Sequence, residues 1–253
     1  MAVSLQLTAL PGIPRINPGD DLLDITLDAL ARTDLALHRG DALVYAQKVV
    51  SKAENRIVDL ADITPSERAR ELAGETGKNP CLVEVILSES TEVLRYRPGL
   101  IIVVHRLGFV VANAGVDSSN IEGGGDKVLL LPEDPDNSCA LLHERLRQRA
   151  GTEVGVVIND SVGRAWRNGT VGIALGLCGL PAIGDLKGRP DMFGRPLETS
   201  EVALADELAA AASLVQGQAA EATPIVHVRG FPGEGVGMTG KALLRAKHLD
   251  LFR

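Results

Sequence analysis

Val156-Val157-Ile158, set between Gly155 and Asn159-Asp160, reads as a buried strand, with three β-branched residues in a row. The chain repeats this device. Residues 4–10 alternate in polarity like a short strand. Residues 40–52 read as a turn, a buried strand and then a polar segment. Residues 99–117 read as two strands joined by a tight turn at Leu107-Gly108, and 223–230 as one more strand. Helical signals lie between them. Asp20 or Asp21 can cap a helix with Leu23, Leu27, Leu30 and Ala31 on one face. Thr64-Pro65-Ser66-Glu67 has the form of a capping box with Pro at the first helical position, and Asn79-Pro80 repeats the cap-then-Pro signal. Asp136 is placed to cap a helix through Arg149. Residues 199–218 form the most regular helical segment, with Gly217 placed to stop it. Residues 170–185, apolar and glycine-rich, fit either state, and 239–252 fit a short final helix.

Strands mixed with helices, including one antiparallel hairpin, predict an α+β or mixed α/β protein with a mixed sheet. No linker, low-complexity tract or repeat divides residues 1–253, which are read as one domain with room for two subdomains. The formal net charge of −7 gives no footprint for nucleic acid and argues against general binding to anionic membranes. An anionic substrate would have to be drawn by local arginines or by metal ions. Cys81, Cys139 and Cys178 have no zinc or redox spacing and read as reduced thiols of a cytoplasmic protein. The N-terminus lacks the pattern of a signal peptide, and no stretch has the length and apolarity of a membrane span. At 3% aromatic residues, platforms for stacking bases are not expected.

Several polar clusters carry possible chemistry. Gly235–Gly240 matches GxGxxG and overlaps a near Walker A motif, but Ala242 lacks the magnesium-binding hydroxyl. It reads as a glycine loop. Asp117 and Asn120 follow a strand and precede a glycine-rich loop, where they could bind a hard cation and phosphate or simply form a turn. Asp160 and Ser161 pose the same choice at another strand's end. Arg164 and Arg167 offer forks for phosphate or carboxylate; the alternative is an Asx-turn at Asn159-Asp160 with solvated arginines and Trp166 as a core anchor. Gln47, Lys48, Ser51 and Lys52 could hold a triphosphate or be solvated. Gln216 and Gln218 flank the Gly217 helix stop. The five histidines are dispersed and form no close metal pair, and no GxSxG is present.

Seven segments in order carry a resemblance: 10–22, 46–58, 105–120, 130–139, 156–169, 200–218 and 226–230. Together they resemble the coenzyme F420-0:L-glutamate ligase (F420:gamma-glutamyl ligase) family. The resemblance implies an unusual mixed α/β fold and an intertwined homodimer. It implies GTP as cosubstrate and two divalent cations, Mg2+ or Mn2+, with K+ assisting. The implied reaction attaches L-glutamate to the lactyl carboxylate of F420-0, a deazaflavin, releasing GDP and phosphate, with further gamma-linked additions. Some relatives carry a following flavin domain, which is not expected here because the sequence ends at Arg253. Carried over, Asp117 and Asp160 match the metal-binding aspartates. Ser161 stands where Thr is common, and Gln218 is the choice for a further metal ligand. Asn120, Gln47, Lys52 and the loop Ile13, Pro14, Arg15 and Ile16 match nucleotide contacts. So does the segment Val215, Gln216, Gly217, Gln218, Ala219, Ala220 and Glu221. Arg164 is assigned to a substrate carboxylate or phosphate. A metal-dependent nucleotide phosphohydrolase and a nucleotide-binding regulatory module are the competing readings.

Overall fold

The computed structural model describes residues 3–119, 126–233 and 237–252. The chain opens with β1 (Gln6–Ala9), α1 (Leu22–Arg32), β2 (Ala42–Ala46), α2 (Gln47–Ala53) and β3 (Ile57–Asp59). It continues with α3 (Glu67–Thr76), α4 (Pro80–Ser88), β4 (Ser90–Arg97), β5 (Leu100–His105) and β6 (Val110–Ala112). Next come β7 (Lys127–Leu129), α5 (Pro135–Ala150), β8 (Gly155–Arg164) and β9 (Arg167–Cys178). The short strands β10 (Gly184–Asp185) and β11 (Glu201–Val202) precede α6 (Leu204–Gln216) and β12 (Ile225–Arg229).

The main sheet has the order β1-β12-β2-β8-β9. Only β2 and β8 run parallel; the other neighbours are antiparallel, so the mixed sheet expected from the sequence is present. Both faces are covered, which explains the unbroken apolar runs. Leu43, Tyr45, Val156, Ile158 and Leu175 pack on the side of α1, α2 and α5. Ala42, Val44, Val157, Ala174 and Leu177 pack on the other side against Ala205, Leu208, Ala209 and Ala212 of α6. Each fully buried Val or Ile contributes roughly 1.5–3 kcal/mol. Residues 170–185, open between two states in the sequence, supply the C-terminal three-quarters of β9. Its glycines let neighbours approach. A Cβ on Gly172 would lie 2.5 Å from the Ala209 carbonyl oxygen of α6, and one on Gly176 would lie 2.4 Å from the Pro135 backbone of α5.

Beside this sheet, β4-β5-β6 form a second, antiparallel one, confirming the hairpin across Leu107-Gly108. Ile101 and Val103 of β5 pack there with Leu72 of α3 and Val83 and Ile86 of α4. β3 pairs with β7. Arg56, just after α2, reaches across to Glu89 after α4 at 2.9 Å, and Arg106 donates to the same carboxylate at 3.0 Å. Burial works to raise the Glu89 pKa, but His105 and the two arginines outweigh it and bring it to about 2.

Several local expectations shift. Asp21 caps α1, with its carboxylate accepting from the Leu23 and Asp24 N–H groups. The buried face of α1 is Leu22, Leu23, Thr26, Ala29 and Leu30, while Ala31 is exposed. Asp134, not Asp136, caps α5, because Pro135 takes the first helical position and the cap must precede it. Asp136 instead accepts the Leu177 and Gly240 N–H groups, which ties the C-terminal segment to β9. Ser66, not Thr64, caps α3, and Pro65 stands outside the helix. The Ser66 N–H and hydroxyl both donate to Glu84 of α4, which fixes where α3 begins. The polar residues after β2 are helical. The final segment forms two 3₁₀ turns, Gly240–Leu243 and Lys247–Leu249, rather than an α-helix.

At the end of the sheet where β2 begins, Asp41 is buried, 3% exposed. It accepts from the His38 N–H at 2.8 Å, from Arg229 at 2.7 and 3.0 Å, and contacts His227 Nε2 at 2.8 Å. Burial acts to raise its pKa, but the hydrogen bonds from Arg229, His227 and His38 prevail and bring it to about 2. A carboxylate with a lowered folded-state pKa stabilises above its unfolded pKa, near 4, and that stabilisation fades as pH falls toward 2. Asp41→Asn is expected to cost about 2 kcal/mol or more at pH 7. The gap from wild type should narrow in urea unfolding curves taken from pH 5 down to pH 3.

Candidate functional site

β2 and β8 run side by side until Ala46 pairs with Asn159. There β2 turns into α2, but β8 continues to Arg164 and folds back as β9. Asp160 and Ser161 therefore have β9 on one side and no β2 residue on the other. The carboxylate does not end the strand, as the sequence reading had it; the neighbouring strand ends. The gap opens into a cavity of about 960 Å³. This is the carboxyl end of a parallel pair, where open α/β sheets bind ligands.

Three further elements wall the cavity. Residues 13–18 form one side. The turn after β6 brings in Asp117 and Ser119, and the C-terminus of α6 with the following loop closes the rest. Asn159 braces that last wall. Its amide exchanges hydrogen bonds with Gln216 at 2.9 and 3.1 Å, and it donates to the Ala209 carbonyl at 3.2 Å. Gln216 also donates to the Pro224 carbonyl at 3.2 Å, so β8, α6 and the strand entering β12 are locked together. On α2, buried Ser51 donates to Gln47 at 2.9 Å and holds that side chain at the cavity wall.

The two aspartates meet opposite conditions. The Lys48 ammonium lies 2.6 Å from Asp117 and donates to the Ser119 hydroxyl at 2.6 Å. The Ser119 N–H also donates to Asp117, at 2.6 Å. Burial works to raise the Asp117 pKa, but Lys48 and Ser119 outweigh it and hold it below the usual carboxylate range. Burial pushes Asp160 up to about 7, the Asp117 charge adds to the rise, and the Ser161 N–H and Lys48 offset only part of it. Asp160 is thus a half-buried carboxylate that, among the described residues, is in no ion pair.

Among the described residues, no group of three or more Asp, Glu, His or Cys side chains is placed to hold a metal ion. The donors present still fit hard divalent cations shared with a ligand. Asp117, Asp160 and Ser161 offer two carboxylates and a hydroxyl, and phosphate oxygens complete such shells. The undercompensated Asp160 is the observation behind that fit.

The cavity gathers most of the residues singled out in the sequence. Ile13, Pro14, Arg15 and Ile16 line it, as do Gln47, Lys52, Asp117, Asp160 and Ser161. Gln216, Gly217, Gln218, Ala219, Ala220 and Glu221 do so as well. Val215 does not; it is partly exposed on the outer side of α6. Arg164 and Arg167 also stand outside the lining, exposed at the tip of the β8–β9 hairpin. Trp166 is not a core anchor but 86% exposed. Asn120 lies outside the described residues. Ser51 supports the cavity without facing it. Sequence reasoning passed over Asn159, weighed only as part of a turn, and Thr170 and Lys127. Asn159 carried a signal: a polar amide directly after a fully buried run needs a partner.

The F420-0:Gamma-glutamyl ligase family model matches residues 12–230. The coenzyme F420:L-glutamate ligase of Methanothermobacter thermautotrophicus is 45% identical over 253 residues, covering 99% of this chain and 100% of its own. The protein of the same name from Methanopyrus kandleri is 44% identical, with 99% and 98% covered. That of Archaeoglobus fulgidus is 40% identical, with 98% and 96% covered. Chain-long identity of this order joins the fold and the cavity to one group, and this chain belongs to the F420-0:gamma-glutamyl ligase family and is a ligase.

Proposed function

We propose that this protein uses GTP to join L-glutamate to the lactyl carboxylate of coenzyme F420-0 through an acyl phosphate, giving GDP and phosphate. Further gamma-linked glutamates can follow by the same chemistry. The observation that carries the reading is that Asp117 and Asp160 line one cavity together with Lys48, Lys52 and Arg15. A carboxylate is a poor electrophile until it is phosphorylated, and phosphoryl transfer needs positioning and charge neutralisation above all. Asp117, Asp160, Ser161 and Gln218 would hold two Mg2+ or Mn2+ ions, with K+ assisting, and these would supply Lewis-acid neutralisation of phosphate charge.

The chain's own residues do the rest. Residues 13–16 and the Gln216–Glu221 segment border the nucleotide, with Asn120 assigned to it as well. Gln47, held by Ser51, and Lys52 contact it from α2. Lys48 trades Asp117 for phosphate oxygens when the nucleotide enters, so one ammonium serves both states. The neutral glutamate amine then attacks the acyl carbon, the acyl C–O bond to the phosphate breaks, and phosphate leaves, taking up the proton the amine releases. The protein is proposed to act as a cytoplasmic homodimer. Among the described residues, no helix is long and apolar enough to cross a membrane. Phosphohydrolase and regulatory readings of the same cavity predict GTP turnover without an acceptor, or binding without turnover.

GTP turnover measured with and without F420-0 and glutamate separates these readings. The expected result is GDP release that needs both, with one glutamyl mass added to the deazaflavin. Turnover indifferent to both would sink the ligase reading. Asp160→Asn should abolish ligation yet keep or raise the melting temperature at pH 8. A carboxylate whose folded-state pKa is raised to about 7 costs stability above that pH, and the neutral amide removes the cost. Lys48→Met should lower kcat by about a hundredfold or more, as loss of a phosphate-neutralising cation does. Wild-type rates in that variant would remove Lys48 from the site.

A further inference from the structure

The β8–β9 hairpin extends past the cavity and ends in an exposed aromatic and cationic patch. Gly163 and Thr170, paired across the hairpin, are its last residues to line the cavity. Arg164 follows and pairs with Arg167, leaving Ala165 and Trp166 as a two-residue turn. Trp166 is 86% exposed and is the single Trp of the chain. Its φ of 64° lies in the left-handed region, where such turns favour Asn or Gly and a bulky residue is strained. Burial does not hold the ring there. The C-terminal segment crosses to meet it: the Phe252 ring stands 6.5 Å from that of Trp166, tilted by 53°, and the Arg245 guanidinium lies 6.0 Å over Phe252. Arg164, Arg167 and Arg245 are exposed, and among the described residues none of them is in an ion pair. In a chain of net charge −7, three cations around two exposed rings make a local anion- and π-binding surface.

The patch also lies at a useful distance. Side chains alternate along a strand, so Arg164 leaves β8 on the same face as Asp160 and Val162. Four residues of strand separate Arg164 from Asp160, about 13 Å. An acceptor with a flat aromatic head at one end and its reacting carboxylate at the other spans such a distance.

We propose that Trp166 and Phe252, with Arg164, Arg167 and Arg245, dock the deazaflavin head of the acceptor while its carboxylate reaches the Asp117–Asp160 end of the cavity. This rests on the ligase reading. The deazaflavin stacks on Trp166, and the arginines attract the anionic acceptor and cover its π-face. Trp166 is then a specificity-determining residue that binds the substrate without touching the reacting atoms.

The test begins with the wild-type protein. If GTP turnover does not depend on F420-0 and glutamate, the ligase reading falls and the platform with it. With that turnover established, F420-0 alone should quench Trp166 emission, while GTP alone or glutamate alone should not. Trp166→Gly suits the backbone at that position, so folding is not at risk. It should raise KM for F420-0 by about tenfold or more and leave KM for GTP within about twofold. Arg164→Ala combined with Arg167→Ala should raise KM for F420-0 less, and the difference should shrink at high salt. Emission indifferent to F420-0, or an unchanged KM for F420-0 in Trp166→Gly, overturns the proposal. If Trp166→Gly instead converts an oligomer to monomer with KM for F420-0 unchanged, the patch covers a second copy, and the proposal fails in that direction.

Discussion

The site depends on a mismatch of strand lengths. β2 and β8 form the parallel pair at the centre of the main sheet, and β2 stops one residue before Asp160 comes into register. Had β2 run on, Asp160 and Ser161 would sit between two strands with no room for a ligand. Because it turns into α2, Asp160 and Ser161 face a cavity, and α2 delivers Gln47, Lys48 and Lys52 to the same cavity. The reciprocal amide pair of Asn159 and Gln216 then fixes the opposite wall to β8. Sheet, α2 and the end of α6 are thereby held in one geometry around the gap.

Two carboxylates of the same type are driven apart by that geometry. Asp117 stands in a β-bridge to Leu129, where Lys48 and the Ser119 N–H reach its carboxylate, and it is held ionised. Asp160 stands in the sheet, half-buried and, among the described residues, in no ion pair, and is pushed up to about 7 by burial. A cavity so divided favours incoming positive charge beside Asp160. Lys48 already satisfies Asp117 and can be released to an anion. The negative chain thus concentrates Lys48, Lys52, Lys127 and Arg15 around a site suited to a polyanion.

Much of the fold was legible. Branched apolar runs marked the central strands, because strands buried on both faces cannot show alternation. Asn79, Gly217 and the Leu107-Gly108 turn stood where their local chemistry put them. The errors have a common cause. Asp134 and Ser66 took the caps from Asp136 and Thr64 because Pro135 and Glu84 decided the matter. Residues 170–185 were ambiguous because Gly172 and Gly176 are set by close contact with α6 and α5, which no local pattern encodes. Trp166 was misread because the sole Trp of a chain usually has a core to join. Here the hairpin carries it outward on a left-handed backbone.

The site divides the same way. Residue types and their order along the chain were enough to pair Asp117 with Asp160, to place Gln47, Lys52 and the 216–221 loop with them, and to indicate the family. They came with the resemblance of seven ordered segments to the family; the chemistry of each segment by itself left a turn and a ligand site both open. Tertiary structure alone decided that Lys48 bridges to Asp117, that Asn159 is a brace and not a turn, and that Arg164 leaves the cavity for the hairpin tip. Each of those depends on where a neighbouring strand ends or which way a strand's alternating faces point. Such facts are set by pairing between distant segments, and one segment's sequence does not contain them.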